Sequence, residues 1–350
     1  MKPLLLLAGT LLCLTPIRAQ IGGVSAYEFL NLPNSAAVAG LGGHHISLRD
    51  DDLTLAARNP ALLNREMHGH LSVSHAFVPA GISNSYLAYG RHREDLGTTF
   101  QAGLQYVGYG GDLVRRDATG QDLGTFSASD YALSLGAARE IEERLSVGVN
   151  MKLIASQLAG YGSLGIGFDA GVFYRDTSGR FGITLLARNF GRQLTRYADD
   201  GLREPMPFEL QVGITRELKY VPFRFSLVYR FLDRWNILYD NPNRVDDFAL
   251  ILGEGSTDRE RGAGAVFFDN LARHFVLNGE LLIGKQRNLS VRVGYNHGLR
   301  RELRLVDFRS GAGYSFGFGW RTKRFRIGYG RTTYHLGGGV NQLSLGTIIR

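Results

Sequence analysis

The sequence is poor in the parts from which most enzyme sites are built. Its only cysteine, Cys13, falls within the first twenty residues, so the rest of the chain forms no disulfide and carries no thiol chemistry. A chain without cysteine also crosses an oxidising compartment with nothing to mispair. No stretch beyond the N-terminus approaches the roughly 18 uninterrupted apolar residues of a transmembrane helix. That absence leaves a membrane barrel open, because alternating strands are only mildly hydrophobic on average, and the mean hydropathy here is -0.10. No nucleophile constellation, phosphate-cradling glycine loop or paired-carboxylate pattern is present. Gly337-Gly338-Gly339 sits in a predicted loop with no following helix or lysine and reads as a turn. Asp50-Asp51-Asp52 lacks the alternating oxygens and turn glycine of a calcium loop, and reads as a helix-starting acidic turn or a partner for luminal arginine. The histidines are scattered, and His44-His45 alone is no metal site. The expectation is a protein that is not an enzyme, with no catalytic residue, metal or cofactor.

Proline is low at 9 residues and glycine high at 46. Glycine on a pleated surface lets backbones approach and keeps inward positions small. The formal charge is +8, falling to +6 if Lys2 and Arg18 leave with an N-terminal signal. Such a surface suits anionic lipopolysaccharide or acidic partners, or is simply a mixed solvated surface with excess arginine. No nucleic-acid motif accompanies it.

Residues 1–19 read as a secretory signal peptide. Lys2 supplies the positive start, Leu4–Leu7 and Leu11–Leu14 the apolar stretch, and Ala19 the cleavage position. Pro16 cuts the apolar run, which is too short to span a membrane.

From residue 70 to 350 the chain divides into fourteen alternating segments. In one, Leu145, Val147, Val149, Met151, Leu153 and Ala155 alternate with Ser146, Gly148, Asn150, Lys152 and Ser156, and Ile154 is the exception. Another sets Tyr314, Phe316, Phe318 and Trp320 against Ser315, Gly317, Gly319 and Arg321. The pattern predicts strands near 70–78, 83–93, 97–110, 128–138, 144–158, 164–175, 180–189, 207–217, 222–232, 273–285, 288–298, 311–322, 324–334 and 341–349. Connections after the even-numbered strands are short. Those after the third, seventh, ninth and eleventh are long, and the connection near 233–272 is the longest. Tight turns at one end and long loops at the other are the mark of an outer-membrane barrel, whose even strand number puts both termini on one side. The fold class expected is therefore all-β: a transmembrane antiparallel β-barrel of about 14 strands with an N-terminal plug segment. Termini are expected in the periplasm and long loops at the cell surface.

In such a barrel the Leu, Val, Phe and Tyr positions meet lipid, and the Gly, Ser, Asn, Arg and Glu positions face the lumen. Tyr106, Tyr174, Tyr229, Trp320 and Tyr334, near segment ends, suit interfacial girdles. Lys152, Asp169, Arg188, Glu209, Arg224, Arg230, Glu280, Arg292, Arg321 and Arg326 fall on luminal positions. They either attract anions or pair with one another and with a plug. Residues 20–69 lack the strand period. Their aromatic and aliphatic content is high for a disordered tail, so they read as a plug folded inside the barrel.

The plug carries recognisable motifs: Gly22-Gly23, Tyr27-Glu28-Phe29-Leu30, Leu32-Pro33, the run Ser35–Gly43, and Asn59-Pro60-Ala61-Leu62-Leu63. Together with Asp130-Tyr131-Ala132-Leu133, Lys152, Asp169, Arg273-His274 and Gly294-Tyr295-Asn296, they resemble the PorQ family of the type IX secretion system of Bacteroidetes. The likeness runs nearly the full length of the chain after the signal. Ala37 departs from it, standing where the family is expected to have arginine. The resemblance implies kinship with PorV and with fatty-acid transporter-like barrels that carry N-terminal plugs. It further implies a membrane anchor for a surface protein of the PorZ type, in an attachment complex with a PorU-like sortase and a PorV-like barrel. That complex cleaves cargo signals and links cargo to anionic lipopolysaccharide.

The 233–272 connection holds Trp235, Tyr239, Phe248, Phe267 and Phe268. Aromatics among charges suit a partner interface, or a loop packed over the barrel mouth. The alternative function is an outer-membrane transporter for hydrophobic ligands of the fatty-acid transporter type. It needs an apolar pocket, for which the small and charged inward positions are a poor lining. A diffusion porin would need an unplugged lumen.

Overall fold

The structure is a computed structural model, and it describes residues 25–111, 113–198, 201–237, 263–303, 311–335 and 338–349. The signal segment, Gly22-Gly23, Tyr239 and Phe248 lie outside the described residues. The strands in chain order are β1 His70–Phe77, β2 Ser83–Arg93, β3 Thr98–Gly108, β4 Leu113–Arg116, β5 Asp122–Phe126, β6 Ala128–Glu142, β7 Leu145–Leu158 and β8 Tyr161–Arg175. There follow β9 Phe181–Gln193, β10 Glu209–Glu217, β11 Phe223–Tyr229, β12 Phe275–Ile283, β13 Leu289–Asn296, β14 Tyr314–Arg321, β15 Phe325–His335 and β16 Gly338–Ile348. All but β4 and β5 close into one antiparallel barrel of fourteen strands, sealed by the pairing of β1 with β16.

Each of the fourteen predicted strands is present. Several run beyond their predicted ends: β6 to Glu142, β9 to Gln193, and β16 from Gly338, so that two of the three glycines read as a turn are strand. A strand that leaves the apolar band goes on pairing after its side chains have stopped alternating, which is why periodicity cuts it short. The hairpin β4–β5 and the helices α3 Ala263–Arg273 and α4 His297–Glu302 stand in the long connections and went unpredicted.

The strand period sorts the side chains as expected. On β7, Val149 is 58% exposed and Leu153 44%, whereas Asn150 and Lys152 between them are buried. In hydrocarbon a strand is tolerable only if its backbone is fully paired and its outward side chains are apolar, and a closed barrel meets both conditions. Ile154, the break in the alternation, turns inward and joins a buried cluster with Phe29, Leu30 and Met206. Four of the five girdle aromatics face outward at strand ends, with the Tyr106 ring 5.0 Å from Tyr131. Tyr334 is a correction. It stands on the same parity as luminal Arg326 and buried Thr332, and it lines an interior cavity beside Arg230 and Phe231.

Residues 25–69 fill the lumen. They include two short helices, α1 Ala36–Gly40 and α2 Leu53–Ala56, each with its capping residue, Ser35 or Asp52, accepting a backbone N–H of the first turn. The segment packs through small residues against glycines on the wall. A Cβ on Gly148 would lie 2.4 Å from the carbonyl carbon of Pro60, and one on Gly330 would lie 2.2 Å from the carbonyl oxygen of Ala36. Only glycine admits so close a backbone.

Candidate functional site

The Asn59-Pro60-Ala61-Leu62 motif fastens the plug to itself and to the wall. Asn59 donates to the Ile46 carbonyl at 2.8 Å and to Thr184 Oγ1 on β9 at 3.2 Å, while its own oxygen accepts Ala61 N–H at 3.0 Å. Pro60 starts the turn that follows, where it has no N–H to satisfy. Ala61 and Leu62 are fully buried in a cluster with Val38, Leu48, Leu55 and Phe173. One side chain thus holds two plug segments and the wall together.

Most luminal charges pair rather than line an open channel. Strand register puts Arg224 and Arg292 directly across from Glu280. Arg292 Nε donates to Glu280 Oε1 at 2.8 Å and Arg224 Nε to Oε2 at 3.1 Å. Arg230 clamps Glu209 through two bonds of 2.6 and 2.9 Å. The acidic run serves as the partner of luminal arginine: Arg326 reaches all three aspartates, Asp52 at 3.3 Å and Asp50 at 3.2 Å among them, and Arg321 reaches Asp51 at 3.0 Å.

A bulge concentrates polar groups at mid-barrel. The register slips opposite Asp169, where Phe168 pairs with Phe190 but Ala170 pairs with Ala187. Asn189 takes a left-handed backbone with φ 54°, which asparagine tolerates better than most residues. Arg188 and Asn189 therefore both point inward and are buried. Asp169 accepts the Asn189 N–H at 2.8 Å and Lys152 Nζ at 2.7 Å. From the plug, Arg58 donates to the carbonyls of Asn31, Leu32 and Gly43 at 3.1, 3.3 and 2.8 Å. Periodicity alone missed Arg58, whose one sequence signal is a lone cation in the apolar stretch leading to Asn59.

The end of the barrel with the long connections carries the aromatic residues. Trp235 packs on Phe267 of α3 at 5.1 Å between ring centroids, and Phe267 on Phe268 at 5.6 Å edge to face. Trp235 also stacks on His274 at 5.6 Å, and His274 on Tyr229 at 4.8 Å. Buried Asn270 fixes the ledge by donating to the Trp235 carbonyl at 2.6 Å and accepting the Ile237 N–H at 3.2 Å. Phe268 remains 68% exposed, Phe267 50% and Trp235 46%. The structure thus joins three of the five predicted interface residues on one surface. His274 and Asn270, which hold that surface in place, were not among them. Asp269 ties α3 to α4, lying 2.6 Å from Arg301 and 3.1 Å from Arg273. Burial alone would raise its pKa, but the bond to Arg301 and the charge of Arg273 hold it below the usual carboxylate range.

Between plug and rim lies a cavity of about 660 Å³, walled by Leu32, Met206, Phe208 and Phe231 but also by Glu209, Arg230 and Arg234. Phe231 sits between the Arg230 and Arg234 guanidiniums, 4.5 and 5.0 Å away. Among the described residues no group of three metal-ligating side chains occurs.

A closed fourteen-strand wall, an apolar outer face and a lumen filled by the chain's own N-terminal segment define the class: the protein is an outer-membrane β-barrel. No family model and no curated protein matches the sequence. Solved structures similar to it are other outer-membrane barrels. One is a TodX monoaromatic hydrocarbon channel, a deltaS2 mutant, at 13% identity and a TM-score of 0.50, covering 91% of this chain and 100% of that chain. The toluene transporter TodX of Pseudomonas putida matches at 11% identity and 0.48, covering 91% and 97%. A KdgM porin matches at 6% and 0.35, covering 80% and 99%. At such identities the likeness concerns the fold alone.

Proposed function

We propose that this barrel is a non-enzymatic anchor of the type IX protein secretion system. It holds a surface protein of the PorZ type within the attachment complex that includes a PorU-like sortase and a PorV-like barrel and links cargo to anionic lipopolysaccharide. The long connections face the cell surface and the termini face the periplasm. The observation that carries this reading is a filled lumen beside a preformed aromatic ledge. A barrel stoppered by its own chain offers no ready passage. Trp235, Phe267 and Phe268 form the kind of rigid aromatic patch on which binding energy concentrates. The motif resemblance in the plug and along the strands names the system.

The test is a mild-detergent pull-down of the tagged protein from native outer membranes, with the co-purifying proteins identified by mass spectrometry. Near-stoichiometric recovery of one large surface protein is expected. It is lost on deletion of residues 236–268 and weakened in the double variant Trp235→Ala, Phe268→Ala, while the barrel still inserts. Recovery of the barrel alone, or full retention of the partner by the deletion variant, overturns the reading. The cavity under the rim favours a second reading, transport of a hydrophobic ligand. Stoichiometric fatty acid or another apolar ligand in the purified barrel would put that reading first.

A further inference from the structure

Among the described residues, most cations in the lumen have a carboxylate within ion-pair distance, but two deeply buried ones do not. Arg58 and Arg188 are each 1% exposed. Arg58 donates only to backbone carbonyls, and Arg188 donates through Nη2 to the Leu30 carbonyl at 3.2 Å. Nε of Arg58, and Nε and Nη1 of Arg188, have no protein acceptor. The charged groups that act on them are Lys152 and Arg230 on the positive side and Asp169 and Glu209 on the negative. Both carboxylates are already committed, Asp169 to Lys152 and Glu209 to Arg230. Arg58, Arg188 and Lys152 with Asp169, all buried, therefore carry an excess of two positive charges, and the Arg230–Glu209 pair beside them adds none.

Burying a guanidinium without a counter-charge is expensive, several kcal/mol per ion even after relaxation. Carbonyl dipoles offset part of that cost but supply no net charge. The two arginines, with Lys152, flank a small cavity of about 20 Å³ whose other walls include Leu30, Tyr86 and Ala132. A cavity above about 10–15 Å³ holds one water-sized particle. A monatomic halide is only slightly larger than water, and an oxyanion such as sulfate does not fit.

We infer that the Arg58–Arg188–Lys152 cavity binds one chloride-sized anion, which neutralises the buried cations and fastens the plug to the β9 bulge. The competing occupant is a water molecule. The Oδ1 of Asn34 on the same wall, an acceptor without a donor, favours water. The charge excess favours the anion, because water leaves both positive charges uncompensated. The cavity is separate from the aromatic ledge, and its occupancy does not depend on any partner at the rim.

Two measurements on the full mature barrel decide it. The first is the thermal unfolding midpoint in chloride, bromide and gluconate at fixed ionic strength. A saturable rise in the two halides over gluconate is expected, since an anion that binds only the folded state stabilises it by mass action. Arg188→Met should flatten that difference, while Arg321→Met, in a separate pair with Asp50 and Asp51, should keep it. The second is a crystal grown in bromide, in which an anomalous peak is expected in the cavity. Equal midpoints in halide and gluconate, or ordered water with no anomalous signal in the cavity, would overturn the inference.

Discussion

Neutralising Glu280 tests whether luminal pairing, rather than the hydrophobic plug core alone, stabilises the barrel. Glu280 is 3% exposed and lies between Arg224 and Arg292 on the two neighbouring strands. Glu280→Gln keeps the shape, removes the charge and turns an amide toward one guanidinium. Three charge-assisted hydrogen bonds, from Arg224 Nε and Nη2 and from Arg292 Nε, are weakened, each worth about 1.5–3 kcal/mol and not additive. Breaking a buried ion pair from one side typically costs about 3–5 kcal/mol. The adjoining cavity of about 120 Å³ is lined by Asp50, Asp52 and Ser290, so water and a second carboxylate soften the loss. The expected cost is therefore at the low end, about 3 kcal/mol, or roughly a hundredfold in the folded-to-unfolded ratio. Urea titration in lipid vesicles, followed by the fluorescence of Trp235 and Trp320, reads it as a lower midpoint with an unchanged slope. A variant that makes all three groups apolar, Arg224→Met, Glu280→Leu, Arg292→Met, should recover to within about 1 kcal/mol of the parent, because no charge is then left buried alone. A Glu280→Gln cost below about 0.5 kcal/mol would refute the reasoning and mean that the site is effectively aqueous.

Other outcomes follow from the same geometry. Leu62→Ala empties the centre of the plug cluster and should cost about 3 kcal/mol in the same titration; a cost under about 1 kcal/mol would mean that the plug contributes little to barrel stability. Gly148→Val places side-chain atoms where the Pro60 backbone lies, so the barrel should insert with its plug displaced. Planar-bilayer conductance should then rise above the parent's, and unchanged conductance with unchanged protease protection of residues 25–69 would count against a plug held by backbone contact. Asp269 has a depressed pKa in the folded state, so its contribution is present above the ordinary carboxylate range and lost as pH falls through the folded value. The protection of α3 and α4 amides, corrected for the intrinsic pH dependence of exchange, should fall on acidification through that window and stay level there in Asp269→Asn.

The sequence by itself determined the wall. A period of two is a property of the strand backbone, and lipid outside against polar groups inside imposes it residue by residue, so the fourteen segments are countable along the chain alone. The alternation of short and long connections followed from the same count. The Asp50–Asp52 run had a luminal-arginine partner among its readings, because an acidic cluster without ligand spacing has few other uses in a barrel. What only the tertiary structure decided depends on register and on chain segments distant in sequence. The slip opposite Asp169 turned Arg188 and Asn189 to the same side; a single inserted residue inverts the faces of the side chains beyond it without leaving a periodic signal. Tyr334, by contrast, stands on the same parity as luminal Arg326 and buried Thr332, so its inward place could be read from the alternation. Arg58 acquired its meaning only when the plug carried it next to β9. Trp235 and Phe267, more than thirty residues apart, became one surface through His274 and Asn270, whose hydrogen bonds to the Trp235 carbonyl no local pattern encodes.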